Sequence, residues 1–96
     1  MTADDSVSVV CQPAGPGWAC RVRVGDGADA TEHEVSVSAE EMARFAPGAS
    51  EPQRLVEASF AYLLEREPKE SIMGSFTLST IESYFPRYPL EIAELI

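Results

Sequence analysis

The sequence predicts an α+β domain in which a three-stranded antiparallel meander is covered on one face by helices. Valine-rich segments with an apolar residue at every second position occur between residues 6 and 38, turn-forming residues separate them, and helical spacing replaces the alternation after Ser38. A chain of 96 residues supports one hydrophobic core. Residues 6–96 are therefore expected to form a single domain, and residues 1–5 a disordered N-terminus.

The predicted strands span about residues 6–12, 18–25 and 31–38. If Cys11 faces Cys20 across the first turn, Val9 faces Val22, and the apolar residues of both strands lie on one side of the sheet, with only Val10 and Ala19 on the other. A shift by one residue would divide these apolar residues between the two faces. The valine pattern therefore predicts this register for the first hairpin.

The connection over residues 25–30 admits two registers for the second hairpin. A tight turn leaves one opposite-charge pair across the strands, whereas a wider loop forms two pairs, Arg21 with Glu34 and Arg23 with Glu32. Each such pair contributes roughly 0.2–1 kcal/mol on an exposed sheet face. The wider loop is therefore favoured, and the tight turn is the alternative.

The predicted helices span about residues 39–46, 51–67, 69–73, 77–85 and 90–96. Ser38 and Glu41 have the spacing of a capping box at the start of the first helix, and Ser50 and Gln53 repeat that spacing at the start of the second. The second helix carries an apolar stripe suited to cover the valine face of the sheet. The stripe consists of Leu55, Val56, Phe60, Leu63 and Leu64.

The last quarter of the chain is its most apolar part and is expected to pack as short helices. Thr77 or Ser79 has the side chain needed to cap the helix over residues 77–85. Pro86 and Pro89 prevent one continuous helix to the end of the chain, because proline breaks a helix interior.

Composition restricts the possible partners and compartments. Sixteen acidic and seven basic residues give a formal charge of −9, so nucleic acid and anionic membranes are not expected as partners. No run approaches the roughly 18 apolar residues of a membrane span. The start MTADDS is acidic, whereas a signal peptide begins with basic and then apolar residues. The sequence therefore predicts a soluble cytoplasmic protein.

The two cysteines do not indicate a metal or redox site, since no CxxC pair is present. The predicted register places Cys11 directly opposite Cys20, which is close enough for a bridge. In a reducing compartment, however, two half-buried thiols that pack as small hydrophobic groups are expected instead.

The run from HEVSVS through FAPGAS, LVEASFAYLLEREPKESI and FTLSTIESYFPRYPLEI resembles a set of small uncharacterised bacterial proteins. The resemblance covers roughly residues 31–92, and LLEREPKESI and YFPRY are its most distinctive parts. It implies no activity, ligand or site residue. The first hairpin lies outside it and rests on the register argument alone.

No catalytic, cofactor-binding or metal site is predicted. His33, the only histidine, shares the apolar side of its strand with Val35, while Glu32 and Glu34 point to the opposite face and cannot orient it as a base. The run GDGADA matches the glycine spacing of a dinucleotide-binding turn, but a strand follows where that motif requires a helix. It also lacks the ligand spacing of a calcium loop. A polar hairpin loop is the simpler interpretation.

Two segments are candidates for an interaction surface. The run YFPRYP combines three aromatic residues with an arginine and two prolines, a composition that is typical of binding hot spots but also of a tail folded onto a core. The run EREPKES carries two basic residues able to bind a carboxylate or phosphate group, and is otherwise a solvated helix end. The candidate residues are Tyr84, Phe85, Arg87, Tyr88, Arg66 and Lys69.

The sequence favours a noncatalytic protein-interaction or regulatory module that forms a homodimer, because three strands leave two edges and the apolar C-terminal segment is large for one small sheet. One alternative is a small enzyme or ligand-binding subunit in which His33, Arg66 or residues 84–88 converge on a cleft between sheet and helices. Another is an acidic decoy that occupies a basic protein surface.

Overall fold

The computed structural model describes residues 6–96 and has an α+β architecture. The strands are β1 (Val7–Ala14), β2 (Gly17–Val24), β3 (Thr31–Val37) and β4 (Ser75–Thr77). The helices are α1 (Ala39–Phe45), α2 (Gln53–Leu64), α3 (Leu78–Tyr84) and α4 (Tyr88–Leu95), with short 3₁₀ turns at Gly27–Asp29 and Lys69–Ser71. The expected disorder of residues 1–5 falls outside the described range.

The register predicted for the first hairpin is confirmed. Cys11 pairs with Cys20 and Val9 with Val22. β1 extends two residues further than predicted and β2 begins one residue earlier, so the strands meet at a two-residue turn, where Gly15 has a φ of 63°. Glycine is favoured there, because the tight turns of hairpins need a positive φ that side chains disfavour.

Gly17 lies where the start of β2 approaches the end of β3. A Cβ atom on Gly17 would collide with the main-chain oxygen of Val37, whereas one on Gly74 would meet nothing within 4 Å.

We expect Gly17→Ala to lower the free energy of unfolding by about 1–3 kcal/mol, the usual cost of overpacking. Gly74→Ala is the matched control and is expected to leave stability within about 1 kcal/mol of the original protein. Urea unfolding of both variants tests this, and equal stabilities would contradict the close approach of β2 and β3.

The wider loop predicted for the second hairpin is also confirmed. The Arg21 Nη2 atom lies 3.4 Å from the Glu34 Oε2 atom, and the Arg23 Nη1 atom lies 3.0 Å from the Glu32 Oε2 atom. These pairs are exposed, so each adds little stability. They place alternating charges on the face of the sheet that no helix covers, which we call the open sheet face.

The sheet has a fourth strand in addition to the three predicted from the sequence. β4 pairs parallel with β3, so that Phe76 lies beside Val35, and the amide of Glu34 donates to the oxygen of Gly74 at 2.7 Å. The prediction of a purely antiparallel three-stranded sheet is therefore wrong, although the α+β class holds. A strand of three residues is too short to show an alternating pattern.

Helices cover one face of the sheet. α2 packs on β1, and α4 packs on α1 and α2. The covered face consists of buried Val9, Cys20, Val22, Val24, His33, Val35 and Val37. Among the described residues, no helix has the length and apolar character that crossing a membrane requires.

Several predicted helix boundaries differ from the structure. The helix expected over residues 51–67 spans Gln53–Leu64, and residues 69–73 form only a short 3₁₀ turn. Ser50 does not cap α2, because Pro52 occupies the N-cap position and Gln53 donates to Glu57 instead. The last helix begins at Tyr88 rather than residue 90, since proline is tolerated in a first helical turn.

The expectation of two free thiols is wrong in this structure. The Sγ atoms of Cys11 and Cys20 are bonded at 2.05 Å. The two residues are directly paired, with Cα atoms 4.0 Å apart. The register alone therefore brings the cysteines together, and the disulfide crosslinks β1 to β2.

Candidate functional site

An apolar cleft of about 470 Å³ lies between the end of α2, the segment that leads into β4, and α3. Its floor is buried, whereas Met73 and Tyr84 on its rim remain 40% and 67% exposed. The lining residues are Leu63, Glu67, Ser71, Ile72, Met73, Phe76, Thr80, Ile81, Tyr84 and Phe85. Large apolar side chains that stay exposed around a concave surface are typical of interaction sites.

The chain forms this cleft by reversing direction after α2. α2 ends at Leu64, and Pro68 precedes the 3₁₀ turn, so the chain returns toward the sheet. In β4, Phe76 points inward while its two neighbours are exposed, as strand alternation requires. α3 begins directly after β4 and supplies the opposite wall.

Glu41 fixes the position of α3. Its Oε1 atom accepts a hydrogen bond from the Ser38 amide at 2.9 Å, and the Ser38 hydroxyl accepts one from the Glu41 amide at 3.0 Å, which confirms the predicted capping box. Its Oε2 atom accepts from the amide and the hydroxyl of Ser79, at 2.8 and 2.6 Å. One buried carboxylate thus caps two helices.

The cap of α3 differs from the prediction. Thr77 occupies the N-cap position without a side-chain hydrogen bond to the helix, and its hydroxyl lies 3.1 Å from that of Thr80. The acceptor comes instead from Glu41, which is 38 residues from Ser79. Local spacing gives no indication of a cap supplied from such a distance.

His33 is buried behind the cleft and does not line it. Its Nδ1 atom lies 2.7 Å from the Met73 oxygen, and its Nε2 atom lies 2.9 Å from the Thr31 hydroxyl. Because a carbonyl can only accept, a neutral ring donates from Nδ1 and accepts at Nε2. The ring also packs 5.3 Å from Phe60. His33 therefore holds the main chain of the cleft rim against β3.

A charged cluster flanks the cleft on the side of Phe85, whose ring packs edge-on against Tyr62. Glu91 accepts hydrogen bonds from Tyr62 at 2.8 Å, Arg66 at 3.2 Å and Arg87 at 3.4 Å. The hydrogen bond from Tyr62, supported by the two arginines, lowers the pKa of the Glu91 carboxyl. The Arg66 guanidinium also lies 3.6 Å from the centre of the Tyr62 ring.

The structure separates the six candidate interaction residues. Tyr84 and the half-buried Phe85 line the cleft, and Arg66 and Arg87 share Glu91. Lys69 pairs with Glu70 at 3.2 Å and does not line the cleft. The predicted basic neighbours thus have carboxylate partners within the chain, which reduces their ability to bind an external anion.

Tyr88 is not part of an interaction surface, because it is fully buried. Its hydroxyl lies 2.7 Å from that of Ser59, and its ring packs edge-on against Phe45 and Tyr62. The aromatic run therefore divides between core and surface, and Tyr88 anchors α4 in the core.

Burial raises the pKa of the Tyr88 hydroxyl above its ordinary value of 10.0. The folded protein holds this proton more tightly than the unfolded chain, so the resulting stability is present below about pH 10 and is lost as the pH rises further.

Urea unfolding between about pH 8 and pH 11 is expected to show a steeper loss of stability for the original protein than for Tyr88→Phe. The variant has no phenol to ionise at this position, and its stability at pH 8 is expected to be about 1 kcal/mol lower because the bond to Ser59 is lost. Tyr62, whose pKa is also raised by burial, is present in both proteins. Parallel pH profiles would contradict the prediction.

Eight of the ten residues that line the cleft are not among the candidate residues predicted from the sequence: Leu63, Glu67, Ser71, Ile72, Met73, Phe76, Thr80 and Ile81. Pro68 and Gly74 were the available indication, because they allow the chain to reverse and bring the end of α2 opposite α3. Only the folded arrangement shows which apolar residues of this segment remain accessible.

Comparison with known protein families, curated proteins and solved structures finds no match to this chain. The similarity to small uncharacterised bacterial proteins stays a prediction. Within residues 6–96, no three metal-binding side chains lie close enough to hold an ion.

Proposed function

We propose that the protein is a noncatalytic interaction module that binds a segment of another protein in the apolar cleft. The observation that carries this proposal is the exposure of Met73 and Tyr84 around a floor built from Leu63, Phe76 and Ile81. Covering these side chains with apolar groups of a partner removes them from water, which favours association. The volume of about 470 Å³ is in the range of pockets that hold small ligands or a few side chains.

The cleft lining favours binding over catalysis. Its ionisable side chains are Glu67 and Tyr84, and no histidine, cysteine or lysine lines it to pair with them as base or nucleophile. His33 and Arg66 lie elsewhere, so the enzyme alternative lacks the convergence that it requires. The acidic decoy gains no support from the open sheet face, where carboxylates alternate with arginines.

Selection of a random peptide library on the immobilised protein tests the proposal. We expect enriched peptides whose binding weakens at least fivefold with Tyr84→Ala, an energy of about 1 kcal/mol. Val10→Ala is the matched control, because Val10 is also exposed but lies on the open sheet face. Peptides that depend on neither residue, or no enrichment, would contradict a binding role for the cleft.

Self-association through α4 is a second candidate function. Arg87, Leu90 and Glu94 are spaced to lie along one side of this helix, and Leu90 is 69% exposed. Two antiparallel copies of α4 would place Leu90 at a two-fold axis and Arg87 near Glu94 of the partner subunit.

Light scattering coupled to size-exclusion chromatography tests this dimer. We expect the original protein to have the mass of two chains. The Leu90→Glu variant is expected to have the mass of one chain, because the two new carboxylates would face each other across the two-fold axis. A protein that is still monomeric near 100 μM would have a dimer dissociation constant above that concentration, which corresponds to an association free energy weaker than about −5.5 kcal/mol. That result would exclude a dimer of functional strength.

A further inference from the structure

We propose that the segment bound in the cleft is basic and inserts one or two large apolar side chains between flanking arginines or lysines. This inference rests on the proposed function and specifies the chemistry of the partner. It combines the shape of the apolar lining with the distribution of charge around it.

The apolar lining selects the inserted side chains. Leu63, Phe76 and Ile81 form a buried floor without a hydrogen-bonding side-chain group, so a polar group placed against it would lose its bonds to water without replacement. The hydroxyls of Ser71, Thr80 and Tyr84 lie at less buried positions of the lining. Met73 on the rim has a flexible thioether that adapts to leucine, methionine or phenylalanine.

Glu67 selects the charge beside the inserted group. It lines the cleft, and within residues 6–96 its carboxylate has no ion pair or hydrogen-bond partner. Nearby cations do not compensate for it, because Arg66 is engaged with Glu65 and Glu91 and Lys69 with Glu70. A lysine or arginine of the partner can therefore pair with Glu67 at the edge of the cleft.

The net charge of the chain favours a basic partner over a second copy at this surface. Each chain carries a formal charge of −9, so a symmetric contact through the cleft would bring like charges together and add a repulsive field. A basic segment meets the opposite field, which accelerates encounter and orients the segment.

Fluorescence anisotropy with three synthetic peptides tests the inference. The first peptide has a central leucine–phenylalanine pair with two arginines on each side, the second has glutamates in place of the arginines, and the third has alanines in place of the central pair. We expect the first to bind at least tenfold more tightly than either of the others, a difference of about 1.4 kcal/mol for each.

Matched variants assign the binding to the cleft. Glu67→Gln is expected to weaken binding of the first peptide about two- to fivefold, the range for one partly exposed ion pair. Glu40→Gln removes the same charge from an exposed position on α1, outside the cleft lining, and is expected to change affinity less than about 1.5-fold. Equal effects of the two variants would overturn the role of Glu67.

The remaining outcomes separate this inference from the proposed function. Equal binding of the arginine and glutamate peptides, with both weakened by Tyr84→Ala, would overturn the basic partner and leave the cleft as a binding site. Equal binding of the first and third peptides would show that charge alone drives association and overturn the inserted side chain. A dimer of this protein that dissociates in the Tyr84→Ala variant would assign the cleft to a second copy. If the first peptide does not bind at concentrations up to about 1 mM, the inference is also overturned.

Discussion

Replacing the buried carboxylate that caps two helices, in Glu41→Ala, is expected to lower the free energy of unfolding by about 2–4 kcal/mol. The change removes the acceptor for the amides of Ser38 and Ser79 and for the Ser79 hydroxyl. Glu41 is buried and its bonds to Ser38 and Ser79 are part-buried, so the loss of the acceptor costs up to about 1–3 kcal/mol at each helix.

Glu40→Ala provides the matched control, because Glu40 lies in the same helical turn but is exposed. We expect it to change stability by about 0.5 kcal/mol or less. Glu41→Gln is expected to fall between the two alanine variants, since one amide oxygen can still serve one of the helices. Urea unfolding measures all three, and equal stabilities of Glu40→Ala and Glu41→Ala would refute the shared cap.

Hydrogen exchange locates the effect of Glu41→Ala. The Ser79 amide is expected to exchange faster in this variant because α3 loses its cap from α1. Residues of β2 are expected to keep their protection relative to the global stability. Uniform acceleration over the whole chain would indicate that Glu41 acts only on global stability.

Phe60→Ala is expected to lower the free energy of unfolding by about 3–5 kcal/mol. The Phe60 ring is fully buried on α2, and its centre lies 5.3 Å from the centre of the His33 ring and 5.9 Å from that of the Phe76 ring. Truncation would leave a cavity between the sheet and the floor of the cleft, and both neighbouring rings would lose contacts.

Phe60→Leu separates loss of volume from loss of the aromatic ring. It retains most of the apolar contact and is expected to cost about 1–1.5 kcal/mol. Thermal and urea unfolding of both variants provide the measurement. A cost below about 1 kcal/mol for Phe60→Ala would show that Phe60 is not central to the core.

The hairpin registers could be predicted because strand alternation is a local property. The register that pairs Val9 with Val22 is the one that places the valines of β1 and β2 on the covered face, with Val10 as the exception, and the charge pairs of Arg21 and Arg23 select the second loop. The capping box of Ser38 and Glu41 is equally local, since its two residues lie three positions apart.

The rest depends on contacts between distant residues. The position of Phe76 in a parallel strand and the bond from Ser79 to Glu41 link segments separated by about 40 residues. Tyr84 and Tyr88 occur in one aromatic run, yet only Tyr84 is exposed, because Tyr88 faces Ser59 on α2. Spacing along the chain could not divide this run between core and surface.

Methyl spectra of methionine test the central claim, that the cleft is where this protein binds a partner. Met73 lies on the cleft rim and Met42 is buried on α1, so one protein contains both the probe and its internal control. During titration with the arginine-flanked leucine–phenylalanine peptide, we expect the Met73 ε-methyl resonance to shift and saturate while that of Met42 stays in place. A saturating shift of main-chain resonances on the open sheet face, with Met73 unchanged, would contradict the account.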